Sequence, residues 1–272
     1  MYRIENFEVE IKELNRKRMI RVYLPNDYDK NVNKYYKVMY MHDGHNLFYK
    51  ETSAYGGIWD IQNSMSKSEE SGNDGIIVVG IDCNNETTFG RLDEYSPWVN
   101  ENLKKFIPSR SIEIAGGEGD LYVEFLVNSL KPYIDKKYRT LKTRENTFIV
   151  GSSMGGFISL YAGYKYPEVF SIIGAFSTAA WFSKENLIEF IKKNYKDNMK
   201  IYLDSGTKET SDSEVSEFNE IYVNDTKELE NLLLNLGQDK KDIKVVIEEG
   251  ANHSEDSWKR RFPGFLEWIL EK

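Results

Sequence analysis

Residues 151–155 read Gly-Ser-Ser-Met-Gly, so Ser153 stands between two glycines, each two residues away. A short β-branched run, Thr147 to Val150, precedes this stretch, and a helical pattern, Gly155 to Tyr164, follows it. A G-x-S-x-G pentapeptide between strand and helix can hold a nucleophilic hydroxyl on a strained turn above a sheet. The flanking glycines let strand and helix approach without Cβ clashes. The helix N-terminus then aims its amides at any oxyanion formed there. Ser153 is therefore the expected nucleophile. Ser152 would take its place only in a register shifted by one, which breaks the glycine spacing.

A serine hydroxyl is inert at neutral pH without a base. The chain has three histidines: His42, His45 and His253. A base that follows the last strand of such a fold must lie late in the chain, and His253, in EEGANHSEDSW, has that place. The acid that orients the base is expected after the penultimate strand, where the sequence reads KIYLDSGTKETSD. Glu209, in the loop, is favoured over Asp204, at the strand end, because a loop carboxylate reaches the far ring nitrogen more easily. The order Ser153, Glu209, His253 is the order of an α/β-hydrolase fold. For the oxyanion, one donor is expected from the backbone N–H of Met154. A second is expected from that of His45, in the MHDGHNLF turn that Gly44 tightens. His42, Asp43 and His45 make a poor tetrahedral metal set, so no metal is expected.

The elements that must position these groups alternate along the chain. Phe7 to Ile11 and Met19 to Leu24 suggest an antiparallel hairpin at a sheet edge. Tyr36 to Met41, Ile76 to Ile81, Thr147 to Val150, Ser171 to Phe176, Lys200 to Leu203 and Ile243 to Ile247 read as strands covered on both faces. Helical stretches are expected over Leu121 to Lys137, Gly155 to Tyr164, Lys184 to Tyr195, Asp225 to Leu236 and Glu255 to Leu270. The expectation is an α/β fold: a mostly parallel, twisted sheet of about eight strands with helices on both faces. One domain over 1–272 is the simplest organisation, with 84–119 as a lid or pocket-wall insertion.

Composition narrows the partners. The chain has 272 residues, 40% hydrophobic and 14% aromatic, with a net charge of −8, so it can bury a core and is a poor nucleic-acid or anionic-membrane binder. No window is apolar enough for a membrane span, and no signal-peptide pattern opens the chain, so it is expected to be soluble and cytoplasmic. The single cysteine, Cys83, lies at the end of an apolar run and reads as a buried small hydrophobe.

Several separate segments resemble the putative-esterase family of α/β hydrolases. They are VYLPNDY (22–28), YMHDGHNLF (40–48), RLDEYSPW (91–98), LKPYIDKKYRT (130–140), GSSMGG (151–156), LDSGTKE (203–209) and His253-x-x-x-x-Trp258. That family spans esterase D-type thioesterases, mycolyltransferases, feruloyl and acetyl-xylan esterases, and siderophore trilactone esterases. The resemblance implies Ser153 as nucleophile, Glu209 as acid, His253 as base, the His45 amide in the oxyanion hole, and no cofactor. Where family members more often have glutamine or leucine, this chain has His45. Esterase D-type members usually have histidine where this chain has Ser152, which lowers that reading. The expected activity is hydrolysis of a small ester, aryl or carbohydrate, through an acyl-enzyme. The alternatives are acyl transfer by the same triad, cleavage of a siderophore trilactone, and a non-catalytic binding protein of this fold. Arg91, Tyr95, Trp98, Trp59, Trp181 and Tyr55 lie in stretches expected to surround the site and are the candidate substrate contacts; for the aromatics, packing of the lid is the equal alternative. Arg91 is expected either to meet a polar group of the ligand or to pair with Asp93 or Glu94.

Overall fold

In the computed structural model, which describes residues 1–54 and 56–271, eight strands form one sheet in the order β1-β2-β4-β3-β5-β6-β7-β8. β1 (Arg3–Ile11) and β2 (Arg16–Leu24) make the expected edge hairpin, turned through Asn15, whose φ is 51°. β2 runs antiparallel to β4 (Ile76–Ile81). β3 (Lys37–His42), β4, β5 (Thr147–Ser152), β6 (Ile172–Phe176), β7 (Lys200–Lys208) and β8 (Ile243–Asn252) are all parallel. Parallel strands need crossovers, and the helices that provide them cover both faces of the sheet.

One face carries α1 (Ile61–Glu70) and α9 (Glu255–Leu270), packed over Met39, Val78, Phe148 and Tyr202. The other carries the remaining long helices. They are α4 (Gly119–Phe125), continued by a π-helical turn into α5 (Lys131–Lys137), then α6 (Met154–Lys165), α7 (Lys184–Asn194) and α8 (Phe218–Asn235). α6 is buried along nearly its whole length and is apolar all round, as a helix seated mid-sheet must be.

The segment 84–119 holds two short helices, α2 (Gly90–Glu94) and α3 (Leu103–Phe106). It is packed down by Leu103, Ile107, Ile112 and Ala115, all buried. Its Glu94, fully buried, is paired with Arg16 and Arg18 of β2, and Arg16 also pairs with Glu118. Burial raises the Glu94 carboxyl above the ordinary range even against the two arginines. No helix among the described residues is long and apolar enough to cross a membrane.

Several elements differ from the sequence expectation: β1 and β2 begin earlier, at Arg3 and Arg16, and β8 runs on to Asn252. α1 carries only two apolar side chains, Ile61 and Met65, and no side-chain cap, so it leaves little sign in the sequence. α8 starts seven residues earlier than its leucine face suggests, because Phe218 and Tyr222 extend that face with aromatics. β7 runs on to Lys208, so Asp204 lies mid-strand.

Candidate active site

The turn between β5 and α6 puts Ser153 at φ 58°, ψ −123°, a left-handed conformation rare for a residue with a side chain. Gly151 makes that turn feasible: a Cβ there would lie 2.6 Å from the Gly155 carbonyl carbon. The Ser153 amide donates to the Phe176 carbonyl at 2.9 Å, and the Ser153 carbonyl receives the Phe157 and Ala179 amides. The strained residue is thus held by the neighbouring strand end as well as by its own helix. Met154 is the first residue of α6, so its amide has no carbonyl one turn back to receive it. His45 opens no regular helix; it sits inside a single 3₁₀ turn, Gly44–Asn46.

His253 follows β8 and is aimed by its partner. Its Nδ1 lies 2.6 Å from Glu209 Oε2. The Tyr222 ring lies at 5.0 Å and the Trp258 indole, edge-on, at 5.1 Å. β7 and β8 converge here around a register shift, and Gly206 is required for the approach, since a Cβ would meet the Ala251 carbonyl oxygen at 2.1 Å. With Nδ1 occupied by the carboxylate, Nε2 is the nitrogen left to act on the pocket that both His253 and Ser153 line.

Glu209, just past β7 and 2% exposed, receives three hydrogen bonds. Its Oε1 accepts from Ser177 Oγ at 2.6 Å and from the Gly206 amide at 2.7 Å, and its Oε2 faces His253. Burial pushes the carboxyl up, but His253, Ser177 and Gly206 together hold it below the ordinary range. Asp204 does not reach the ring. It lies mid-strand on the α9 side of the sheet, pairs with Arg261 at 2.8 Å and accepts the Ser177 amide at 2.9 Å. Burial pushes Asp204 up to about 6 against the pull of Arg261. Strand geometry separates the two carboxylates: the one in the sheet faces the helix layer, and the one past its end can turn toward the loop.

The pocket has a volume of about 920 Å³. Trp181 lines it, with its indole N–H donating to the Tyr222 hydroxyl, which also bonds the Ser211 hydroxyl at 2.7 Å. Arg91 lines it too, but it pairs with neither Asp93 nor Glu94. It grips Asp43 with two bonds, 2.7 and 2.8 Å, and reaches the Ser152 carbonyl at 3.3 Å. Arg91 thereby ties the turn that carries His45 to the turn that carries Ser153. Three other candidate contacts lie elsewhere. Trp59 is buried against Phe176, Trp258 and Phe262. Tyr95 is fully buried, its hydroxyl accepting the Asp43 amide. Trp98 packs edge-on against Phe157, Tyr161 and Phe190. Of the two roles open to these aromatics, ligand stacking and packing, Trp59, Tyr95 and Trp98 take packing: they fill the space between loops and helices. Tyr55 lies outside the described residues.

Asp43, His45 and Cys83 bring ligand atoms within 4.8 Å of one another. Both Asp43 oxygens are engaged by Arg91, and burial pushes the Cys83 thiol up, away from the thiolate that a metal takes. The set is thus poorly matched to a metal. His42, 2% exposed, bonds the Tyr122 hydroxyl at 2.8 Å, and burial lowers it to about 3, so it is a neutral core group.

Sequence reasoning passed over Ser177 and Arg261. Arg261 did leave a signal: it lies on the same helical face as Trp258, Phe262 and Phe265, where a charge calls for a buried partner. Ser177 left none.

The family model described as "Putative esterase" matches residues 11–269. The chain is 25% identical over 255 residues to the uncharacterized protein YbbA of Bacillus subtilis (strain 168), across 94% of this chain and 93% of that one. It resembles a solved ferulic acid esterase with a TM-score of 0.73 at 18% identity, over 99% of this chain and 98% of that one. It also resembles the siderophore hydrolase EstA from Aspergillus nidulans, with a TM-score of 0.72 at 17% identity, over 98% and 95%. At such identities the two structures establish a shared fold.

Proposed function

The chain belongs to the putative-esterase family, and we propose that it hydrolyses carboxylic esters through an acyl-enzyme formed on Ser153. The observation that carries this reading is the 2.6 Å contact of His253 Nδ1 with Glu209, made at the wall of the pocket where Ser153 stands on its positive-φ turn. In the proposed reaction His253 Nε2 takes the Ser153 proton as the hydroxyl attacks the ester carbonyl. Glu209 holds the ring and stabilises the imidazolium. The Met154 and His45 amides receive the oxyanion. His253 then protonates the leaving alcohol, and water repeats the two steps against the acyl-enzyme.

The pocket supports a polar ester of moderate size. Its volume exceeds what an acetyl group fills, and its walls mix Trp181, Ile107 and Leu92 with Arg91, Asn84 and Thr88. Aryl and siderophore-type esters, which the named structural neighbours suggest, fit that mixture. The test is Ser153→Ala against a panel of acetyl, aryl and short-chain esters, scored by kcat/KM. The reading requires loss of turnover on every ester that the parent protein cleaves. Retained turnover in the folded variant overturns it. An acceptor alcohol added to the same assay separates hydrolysis from acyl transfer by the products formed.

A further inference from the structure

We propose that Ser177 is a positioning residue for Glu209, fixing which carboxylate oxygen faces His253. This inference rests on the assignment of Glu209 as the orienting acid. Ser177 follows β6 directly, with φ 41°, a strained conformation for serine. Its side chain is fully buried, and its hydroxyl has three polar neighbours, two on α9 and one just past β7. Trp258 Nε1 approaches Ser177 Oγ at 2.9 Å and Arg261 Nη2 at 2.8 Å, while Glu209 Oε1 lies at 2.6 Å. Asp204 holds the Ser177 backbone amide.

The chemistry of these neighbours leaves one arrangement. An indole N–H and a guanidinium can only donate, and a hydroxyl oxygen has two lone pairs. Trp258 and Arg261 therefore fill both, and the hydroxyl's one hydrogen must go to Glu209. With Gly206 donating to the same oxygen, Oε1 is saturated and Oε2 is the oxygen left for His253. A carboxylate bound only by His253 would be free to rotate about its last torsion. Arg261 lies 3.8 Å from Glu209 Oε1, so its charge also reaches the carboxylate across the hydroxyl.

The charged and titratable groups facing the Glu209–His253 pair are Arg261 and Glu255 from α9 and Tyr222 from α8; Asp204 of β7 is turned to Arg261. None of them replaces the short bond from Ser177. Its loss removes one of the donors that hold the Glu209 carboxyl low.

The experiment compares Ser177→Ala, Ser177→Gly and Ser177→Cys with the parent protein. It uses p-nitrophenyl acetate, reads kcat and KM separately across pH, and confirms folding by thermal unfolding. Ser153→Ala and Glu209→Gln serve as references. Ala and Gly variants should lose roughly 10- to 100-fold in kcat with KM little changed, the range that loss of the hydrogen-bond partner behind a ligand costs at metal sites. The acid limb of their pH profile should move to higher pH. Glycine relieves the φ of 41°, so an equal loss in both assigns the effect to the hydroxyl. Cysteine keeps the shape with a weak donor, and it carries the test if the smaller variants do not fold. Parent-level kcat with an unmoved pH profile in any folded variant overturns the inference, as does recovery in Ser177→Gly alone. If Ser153→Ala keeps its turnover, the assignment of the site fails instead; if Ser153→Ala and Glu209→Gln are inactive, only the role of Ser177 is in question.

Discussion

Two buried carboxylates lie five residues apart, and the structure gives them different partners, so exchanging each for its amide should separate catalysis from stability. Glu209→Gln keeps size and burial. Its amide oxygen can still accept from Ser177 and Gly206, which places the NH₂ against His253 Nδ1. Two donors cannot share that bond, so the ring must switch tautomer and carry its hydrogen on Nε2, the nitrogen that should take the serine proton. A wrong-tautomer base typically costs about 10⁴ in kcat, or about 5.4 kcal/mol at 1.36 kcal/mol per tenfold. Asp204→Asn leaves His253 untouched but takes the carboxylate from Arg261, whose side chain is 4% exposed. Breaking a buried pair from one side costs about 3–5 kcal/mol, a large part of a typical folding free energy of about 5–15 kcal/mol. The expected outcome is a folded, nearly inactive Glu209→Gln and a less stable Asp204→Asn whose kcat stays within about tenfold of the parent. Steady-state kinetics and urea unfolding on both variants make the comparison. A folded Asp204→Asn that loses about 10⁴ in kcat, beside an active Glu209→Gln, would refute the reasoning and move the acid to Asp204.

Other outcomes follow from the same contacts. His42 is buried neutral, lowered to about 3, so the unfolded chain binds its proton first as pH falls. Its contribution to stability is full above the unfolded value and is lost as pH drops toward 3; between pH 7 and 4.5 that loss is about 3 kcal/mol. Urea unfolding at those two pH values should show a smaller difference in His42→Gln, and an unchanged difference would count against the buried neutral ring. Gly151→Ala would force a Cβ within 2.6 Å of backbone at the serine turn. It should destabilise the protein by about 1–3 kcal/mol and depress kcat more than KM, because the strain falls on the turn that aims Ser153. Parent-like stability and kinetics in that variant would mean the turn relaxes freely.

Much of the sheet was legible because a parallel, doubly covered sheet writes its strands as short Val- and Ile-rich runs; Ile76 to Ile81 was read to the residue. The turn at Ser153 was legible because a strained strand–helix turn demands glycines at fixed offsets. Aromatic side chains were the weak point. Trp59, Tyr95 and Trp98 sit in loop-like sequence, and nothing in composition says whether an indole faces a pocket or the underside of a helix. The pairing of Arg91 with Asp93 or Glu94 fails for a related reason. Asp93 and Glu94 are its neighbours in sequence, whereas Asp43 is its neighbour in space, 48 residues away. The support around Glu209 is invisible for the same cause: Ser177 and Glu209 lie in two successive crossovers and Arg261 in the helix after the last strand, and they meet only once the sheet is wound.

The most direct measurement of the central claim is the intact mass of the protein, followed by peptide mapping, after brief exposure to a fluorophosphonate or to an ester that deacylates slowly. The account predicts one covalent adduct per chain, carried by the peptide that contains Ser153, absent in Ser153→Ala and formed far more slowly in His253→Ala. A folded protein that hydrolyses esters with no adduct on Ser153, or with label on another residue, would contradict it.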